Sequence, residues 1–392
     1  MTATVRAHGM DGTLAEPDWA PLTMEEVRAL LVQFPKLGGP LEILRASPRP
    51  FSAAAVVTTE RKPVFIKRHH RSVRDREGLL EEHRFLKHLH AHGAAVPRVF
   101  ANAQGETAIE HRECVYEVHE APESFDLYGD APSWTPFQTA GHARSAGQAL
   151  AQLHLAAEGF SAPRRKPRPL VASFTIFAAA NSRAELRRYL AARPALASHP
   201  CVHSHAEEAM ELLTPYQLEL RPLLPALTTL WTHNDLHASN LLWNAEGGNA
   251  GAAAVIDFSL ADRTNAVHDL AHAIERNIVE WLVLVEHPEN PEKVPVHLDH
   301  LLALLDGYES VRPMSSDEAA ALAPMVAICH AEFALSEADY FLGVLHSEEN
   351  ARMAYDGWLV GHAHWFQSAS GRRILEVLRE WAAGRKPVRT GS

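Results

Sequence analysis

His233-Asn234-Asp235-Leu236-His237-Ala238-Ser239-Asn240, followed further along by Ile256-Asp257-Phe258, is the part of the chain on which the fold turns. An Asp with an Asn five residues later on a tight loop sets a carboxylate and an amide oxygen side by side. A second Asp ends the apolar run Ala253-Ala254-Val255-Ile256. Phosphoryl transfer from ATP asks for a carboxylate that orients the attacking hydroxyl and for oxygen ligands that hold Mg2+ across the phosphates. Mg2+ prefers hard oxygen donors and keeps several waters, so two protein ligands suffice. Asp235 is therefore expected as the catalytic base, with Asn240 and Asp257 as metal ligands. The spacing also arises by chance, and its context gives it weight. The loop lies between apolar stretches, and Glu246-Gly247-Gly248-Asn249 reads as a hairpin tip before the strand that Asp257 ends.

Upstream, Thr23-Met24-Glu25-Glu26 reads as a capping box that starts a short helix ending by Pro35. Residues 1–20 look like a loose leader. Leu41–Leu44, Ala53–Thr59 and Val64–Lys67 are β-type runs, the last two separated by the turn Glu60-Arg61-Lys62-Pro63. A helix is expected from Ser72 or Asp75 to His92, striped by Leu79, Leu86 and Leu89 and closed by Gly93. Two more strands are expected near 96–110 and 112–119. Lys67 ends a strand and Glu82 lies on the next helix, the arrangement that sets a lysine on the α- and β-phosphates. Alone, either residue is an ordinary surface charge; beside the 233–257 set they read as a pair, with Glu81 as the competing partner.

Beyond residue 121 the chain reads as mainly helical, near 137–158, 173–192, 204–221, 267–286, 297–308, 316–345, 350–367 and 371–384. The reading is an α+β chain in three parts: an extension with a short helix over 1–40, a small β-rich lobe over 41–120, and a large α-helical lobe over 121–392.

Its 392 residues, 46% of them hydrophobic, can bury sizeable cores. A net charge of -11 argues against a general nucleic-acid binder. Cys114, Cys201 and Cys329 form no CxxC pair, so neither a disulfide framework nor a cysteine metal site is expected, and a reducing cytoplasm is the natural setting. The first residues lack the pattern of a signal peptide, and no membrane span is expected. The 25 histidines include the pairs His203/His205, His268/His272 and His362/His364. Zinc needs three or four converging ligands, and no H-E-x-x-H is present, so no transition-metal site is expected.

With these residues in hand, the chain resembles the aminoglycoside phosphotransferase and choline kinase group, which shares a bilobal fold with protein kinases. Lys67, Glu82, Leu150-Ala151-Gln152-Leu153-His154, His233 to Asn240, Ile256-Asp257-Phe258 and Asp269-Leu270-Ala271 carry the resemblance, spread over residues 67 to 271. It implies ATP and Mg2+ as cofactors, with Asp235 as base, Asn240 and Asp257 on the metal and Lys67 on the phosphates. It also implies Asp269 as a brace inside the catalytic loop. Adenine would meet the linker backbone within Tyr116 to Glu120, chiefly Glu117 and Val118. Asn234 stands where the group commonly has Gly. Pro48-Arg49-Pro50-Phe51-Ser52-Ala53 occupies the place of the phosphate-covering loop without a G-x-G-x-x-G, and Ser52 is its candidate phosphate contact.

No A-P-E follows Asp257, and the helix expected near Val267 leaves little chain on which a peptide could dock. A small hydroxylated acceptor, aminoglycoside-, homoserine- or choline-like, is the expected partner of a monomer or homodimer. The alternatives are a kinase-like nucleotide-binding regulator and a protein Ser/Thr kinase. Acceptor contacts should come from 297–384. There His330, Glu332, Glu337, Asp339 and Tyr340 are expected to face water, because Ala331, Ala334, Leu335, Ala338, Leu342 and Leu345 claim the buried stripe. His233 is expected to brace the loop through hydrogen bonds.

Overall fold

The structure, a computed structural model, describes residues 18–47, 49–121, 123–287 and 290–385. Most of the leader and Pro48 of the covering loop lie outside the described residues. The capping box forms as read: Thr23 Oγ1 accepts from Glu26 N at 3.2 Å and Glu26 reaches back to Thr23 N at 3.0 Å, opening α1 (Met24–Leu31). A single 3₁₀ turn at Pro35–Leu37 leads into the small lobe.

That lobe is an antiparallel sheet built from β1 (Pro40–Ala46), β2 (Ala53–Thr59), β3 (Val64–His70), β4 (Ile109–His111) and β5 (Cys114–Glu120), in the order β1-β2-β3-β5-β4. The register sets Ala54 opposite Lys67, and Lys67 opposite Glu117. Between β3 and β4 runs α2 (Arg76–Ala91), whose N-cap Asp75 accepts from Gly78 N at 2.7 Å. Its end is turned by Gly93, whose φ of +81° suits a residue without Cβ. The strand expected over 96–110 shrinks to Ile109–His111. The stretch before it instead turns around Asn102, whose Oδ1 accepts from Gln104 N and Glu106 N.

The large lobe follows. Its helices are α3 (Ala140–Ala157), α4 (Ser182–Ala191), α5 (Pro194–Ala197), α6 (Pro200–Leu220), α7 (Ala266–Ile278), α8 (Trp281–Glu286), α9 (Leu298–Glu309), α10 (Ser316–Ile328), α11 (His330–Gly343), α12 (Glu348–Arg352), α13 (His362–Trp365) and α14 (Ala369–Gly384), with residues 353–361 wound as a π-helix. Two short ribbons interrupt them: β6 (Thr229–Thr232) with β9 (Asp262–Asn265), and β7 (Leu241–Trp243) with β8 (Ala252–Val255). The second is the hairpin expected around Glu246–Asn249.

Two glycines let α3 and α9 touch. A Cβ on Gly147 would stand 2.1 Å from Leu304 O, and one on Gly307 2.0 Å from Arg144 O. The stretch 316–343 is the one described segment long and apolar enough to cross a membrane by length and composition, and 94% of its most apolar 18-residue window is buried within the protein. The water-facing charges expected there are a misreading. His330, Glu332, Glu337, Asp339 and Tyr340 are all buried, because α11 is covered on every side, by the π-helical segment and α5 among others. Glu332 takes the backbone N–H groups of Thr175 and Ile176 and the Thr175 hydroxyl.

Candidate active site

The catalytic-loop sequence begins at the end of β6 and bends sharply. Asn234 sits at φ +60°, a region where Asn is better tolerated than most side chains. Its Oδ1 accepts from Thr232 Oγ1 at 2.9 Å, Thr264 Oγ1 at 3.1 Å and the His268 ring at 3.1 Å, while Nδ2 reaches Leu260 O. This stitching accounts for Asn at a position where the related group favours Gly. The bend leaves two backbone donors inside the protein, and both go to Asp269 on α7: His233 N to Oδ2 at 2.8 Å and Asn234 N to Oδ1 at 2.7 Å. His154 of α3 holds the same carboxylate at 3.0 Å, and the Tyr308 hydroxyl of α9 holds His154 at 2.7 Å. The contact of α3 with α9 at the glycines thus positions the loop. His233 adds a second brace, its Nε2 to Ile256 O at 2.9 Å and its Nδ1 accepting from Asp235 N at 3.1 Å.

Asp235, Asn240 and Asp257 line one cavity between the lobes, together with Lys67 and Ser52. Asn240, at the end of a 3₁₀ turn, donates Nδ2 to Asp235 O at 2.9 Å and to Asp235 Oδ2 at 3.1 Å. Asp235 Oδ1 meets Arg276 Nη1 of α7 at 2.8 Å. Burial lifts the Asp235 carboxyl to about 6, against the pull of Arg276 and His233. Asp257, at φ +60°, accepts from Ser259 Oγ at 2.6 Å and pairs with Lys67 Nζ at 3.0 Å. Burial works against its charge, but Lys67 and the Ser259 bonds overcome it and hold the carboxyl well below the usual range. Burial likewise opposes the Lys67 charge, and Asp257, then Glu117 and Glu82, more than offset it.

Two expectations need correction. Neither Glu82 nor Glu81 is the ion-pair partner of Lys67, which pairs with Asp257. Glu82 is drawn away by Arg165 at 3.4 Å, a cation from the large lobe with no exposed side-chain surface, and Glu81 by Arg168 at 3.9 Å. Glu117 and Val118 do not form the linker. They sit within β5, fully buried, Glu117 turned to three histidines and Val118 O accepting from Phe100 N at 2.8 Å. The chain leaves the sheet only after Glu120, so the connector between lobes is 121–139.

Sequence reading missed four groups on the cavity wall: Arg49, Arg276, Glu337 and the aromatic set Trp134, Phe333 and Trp358. Arg49, in the covering loop, ties that loop to the connector through Tyr128 O, Ala131 O and Ser133 Oγ at 3.0 to 3.2 Å. Arg276 lies 4.5 Å from the Phe333 ring and 4.9 Å from that of Trp134. Glu337 has one carboxyl oxygen without a hydrogen-bond partner among the described residues, and burial raises its carboxyl to about 8, against Arg276. Signals were available in the place of Arg49 within the covering loop, in the position of Phe333, Glu337 and Trp358 within 297–384, and in Arg276, seven residues after Asp269 and hence on the same face of α7.

The donor set fits a hard dication and its nucleotide. Asp257 offers an ionised carboxylate and Asn240 an amide oxygen, two hard oxygen donors of the kind that suits Mg2+. A two-lobed molecule with a small antiparallel sheet, a large helical body and this loop at their junction defines the protein-kinase-like phosphotransferase class. Residues 47–314 match the model of the phosphotransferase enzyme family APH, and the chain belongs to that family.

Solved structures agree in fold. A microcompartment-associated aminopropanol kinase is 16% identical, covering 89% of this chain and 99% of its own, with a TM-score of 0.57. A choline/ethanolamine kinase family protein from Mesorhizobium loti is 15% identical, covering 91% and 100%, at 0.53. An aminoglycoside phosphotransferase from Alicyclobacillus acidocaldarius is 17% identical, covering 94% and 98%, at 0.50. An uncharacterised protein of Deinococcus radiodurans is 28% identical over 243 residues, 62% of this chain and 61% of its own length.

Proposed function

We propose that the protein transfers the γ-phosphoryl group of ATP to a hydroxyl of a small molecule in this cavity. The convergence of Asp235, Asn240, Asp257 and Lys67 on one cavity carries the reading. Bound Mg2+, held by Asp257 and Asn240, supplies charge neutralisation across the phosphates. Lys67 holds phosphate oxygens on the small-lobe side, and Arg49 and Ser52 face them from the covering loop. Asp235, kept in place by Asn240 and Arg276, orients the acceptor hydroxyl and takes its proton. With little covalent chemistry demanded of the protein, positioning and electrostatics supply most of the rate.

The acceptor meets Trp134, Phe333, Trp358 and Glu337. A buried carboxyl among aromatic side chains suits an acceptor carrying an amino group near its hydroxyl, because a cation draws the proton from Glu337. Choline- and aminoglycoside-like alcohols fit this description. Purified protein with Mg-ATP and a panel of amino alcohols, aminoglycosides, homoserine and neutral polyols tests the reading by ADP release. Acceptor-dependent turnover with at least one amino alcohol is expected. ATP binding without transfer across the panel would favour a regulator, and incorporation into protein alone a protein kinase.

A further inference from the structure

The small lobe holds a second cluster of titratable groups behind the phosphate-side lysine. Beneath Lys67, the buried carboxylate of Glu117 on β5 is met by three imidazoles, each through the same ring nitrogen. His69 Nε2 of β3 lies 2.9 Å from Oε1, and His83 Nε2 of α2 and His119 Nε2 of β5 each lie 2.7 Å from Oε2. Relative exposures are 4, 5, 0 and 8% for His69, His83, Glu117 and His119. The ligand atoms of His83, Glu117 and His119 lie within 4.8 Å of one another.

We propose that His83, Glu117 and His119 bind a zinc-class dication that staples α2 to the sheet, with His69 holding the other carboxylate oxygen. Two imidazoles and one carboxylate are the protein donors of a four-coordinate zinc site whose last position is taken by water, and imidazole suits zinc better than it suits Mg2+. A hydroxyl supports one ring from behind, Thr107 Oγ1 lying 2.8 Å from His83 Nδ1. An Nδ1–H donated to that hydroxyl is the tautomer that leaves Nε2 to a metal, the arrangement made by the outer partners of metal-bound histidines.

The placement also supplies what the lobe lacks. Related folds tie this helix to β3 through a lysine and a glutamate, whereas here Lys67 pairs with Asp257 and Glu82 with Arg165. The His83 neighbourhood is where α2 meets β3 and β5. The three ligands stand at 83, 117 and 119, a spacing with no sequence signature, which is why the histidine pairs considered from sequence gave no hint.

The test is zinc titration of the chelator-treated full chain in excess Mg2+, which saturates hard oxygen sites. One equivalent of zinc should bind, and the melting temperature should rise with it. The affinity should fall at least tenfold in Thr107→Val, and stoichiometric uptake should vanish in His83→Ala/His119→Ala while persisting in Asp257→Ala. Cobalt(II) bound to the wild-type chain should give the intense visible spectrum of a tetrahedral centre, a readout that does not depend on the double variant folding. Absence of stoichiometric zinc uptake, loss of uptake in Asp257→Ala, or a weak octahedral cobalt spectrum would overturn the proposal. The outcome is independent of transfer activity.

Discussion

Asp235 does its work under two opposing influences. Burial disfavours its charge, and Arg276 at 2.8 Å restores it. A carboxyl raised to about 6 must lose its proton to act as a base, so kcat/KM should fall on the acid side with an apparent pKa near 6. Arg276→Met removes the partner that favours the ionised form, and the same limb should then move to higher pH; a limb left in place would show that Arg276 does not set this pKa. Asn234 gives a second test. Asn234→Gly relaxes the bend but takes away the acceptor of the buried His268 ring and leaves the Thr232 and Thr264 hydroxyls only each other and backbone carbonyls, and should cost about 1–3 kcal/mol in denaturant unfolding. A more stable glycine variant would mean that backbone strain outweighs those bonds.

The catalytic loop depends on helices far from it in sequence. Asp269 on α7 holds two loop N–H groups, His154 on α3 holds Asp269, and Tyr308 on α9 holds His154. Gly307→Ala would force a methyl group onto Arg144 O, push α3 from α9 and disturb that relay. Such overpacking costs about 1–3 kcal/mol, and kcat should fall although no cavity residue has changed; unaltered kcat would separate helix spacing from loop position. The hairpin, the capping box and α2 were legible in the sequence, because caps and turns are written in neighbouring residues. The extent of 96–110 was not, since only residues 98–100 bond to β5 before the chain turns around the side chain of Asn102. The charges of α11 were misjudged because helical spacing shows one apolar stripe and cannot show that packing covers the opposite face.

The two lobes are joined by more than the connector. Glu82 of α2 meets the buried Arg165, whose N–H is held by Asp262 at 2.8 Å and whose guanidinium reaches Ser259 O, just after Asp257. Glu82→Gln would leave Arg165 as an uncompensated buried charge, at a cost of about 3–5 kcal/mol. Thermal unfolding checks it; no loss of stability would show that water already reaches Arg165. Here the sequence was least informative. It located Lys67 and Glu82 on the right elements but could not pair them, because their partners, Asp257 and Arg165, lie in the other lobe. Asp235, Asn240 and Asp257 could be read together because the loop and the hairpin that join them are local, whereas Arg49, Arg276 and Glu337 reach the cavity only through the docking of whole elements.

The most direct check is transfer from Mg-ATP to the best acceptor by wild type and by Asp235→Asn, with ATP binding followed by calorimetry. Removal of a general base costs about 10²–10⁴-fold. The variant should bind Mg-ATP as the wild type does and lose transfer by that factor; near-normal transfer by Asp235→Asn would contradict the role assigned to the loop.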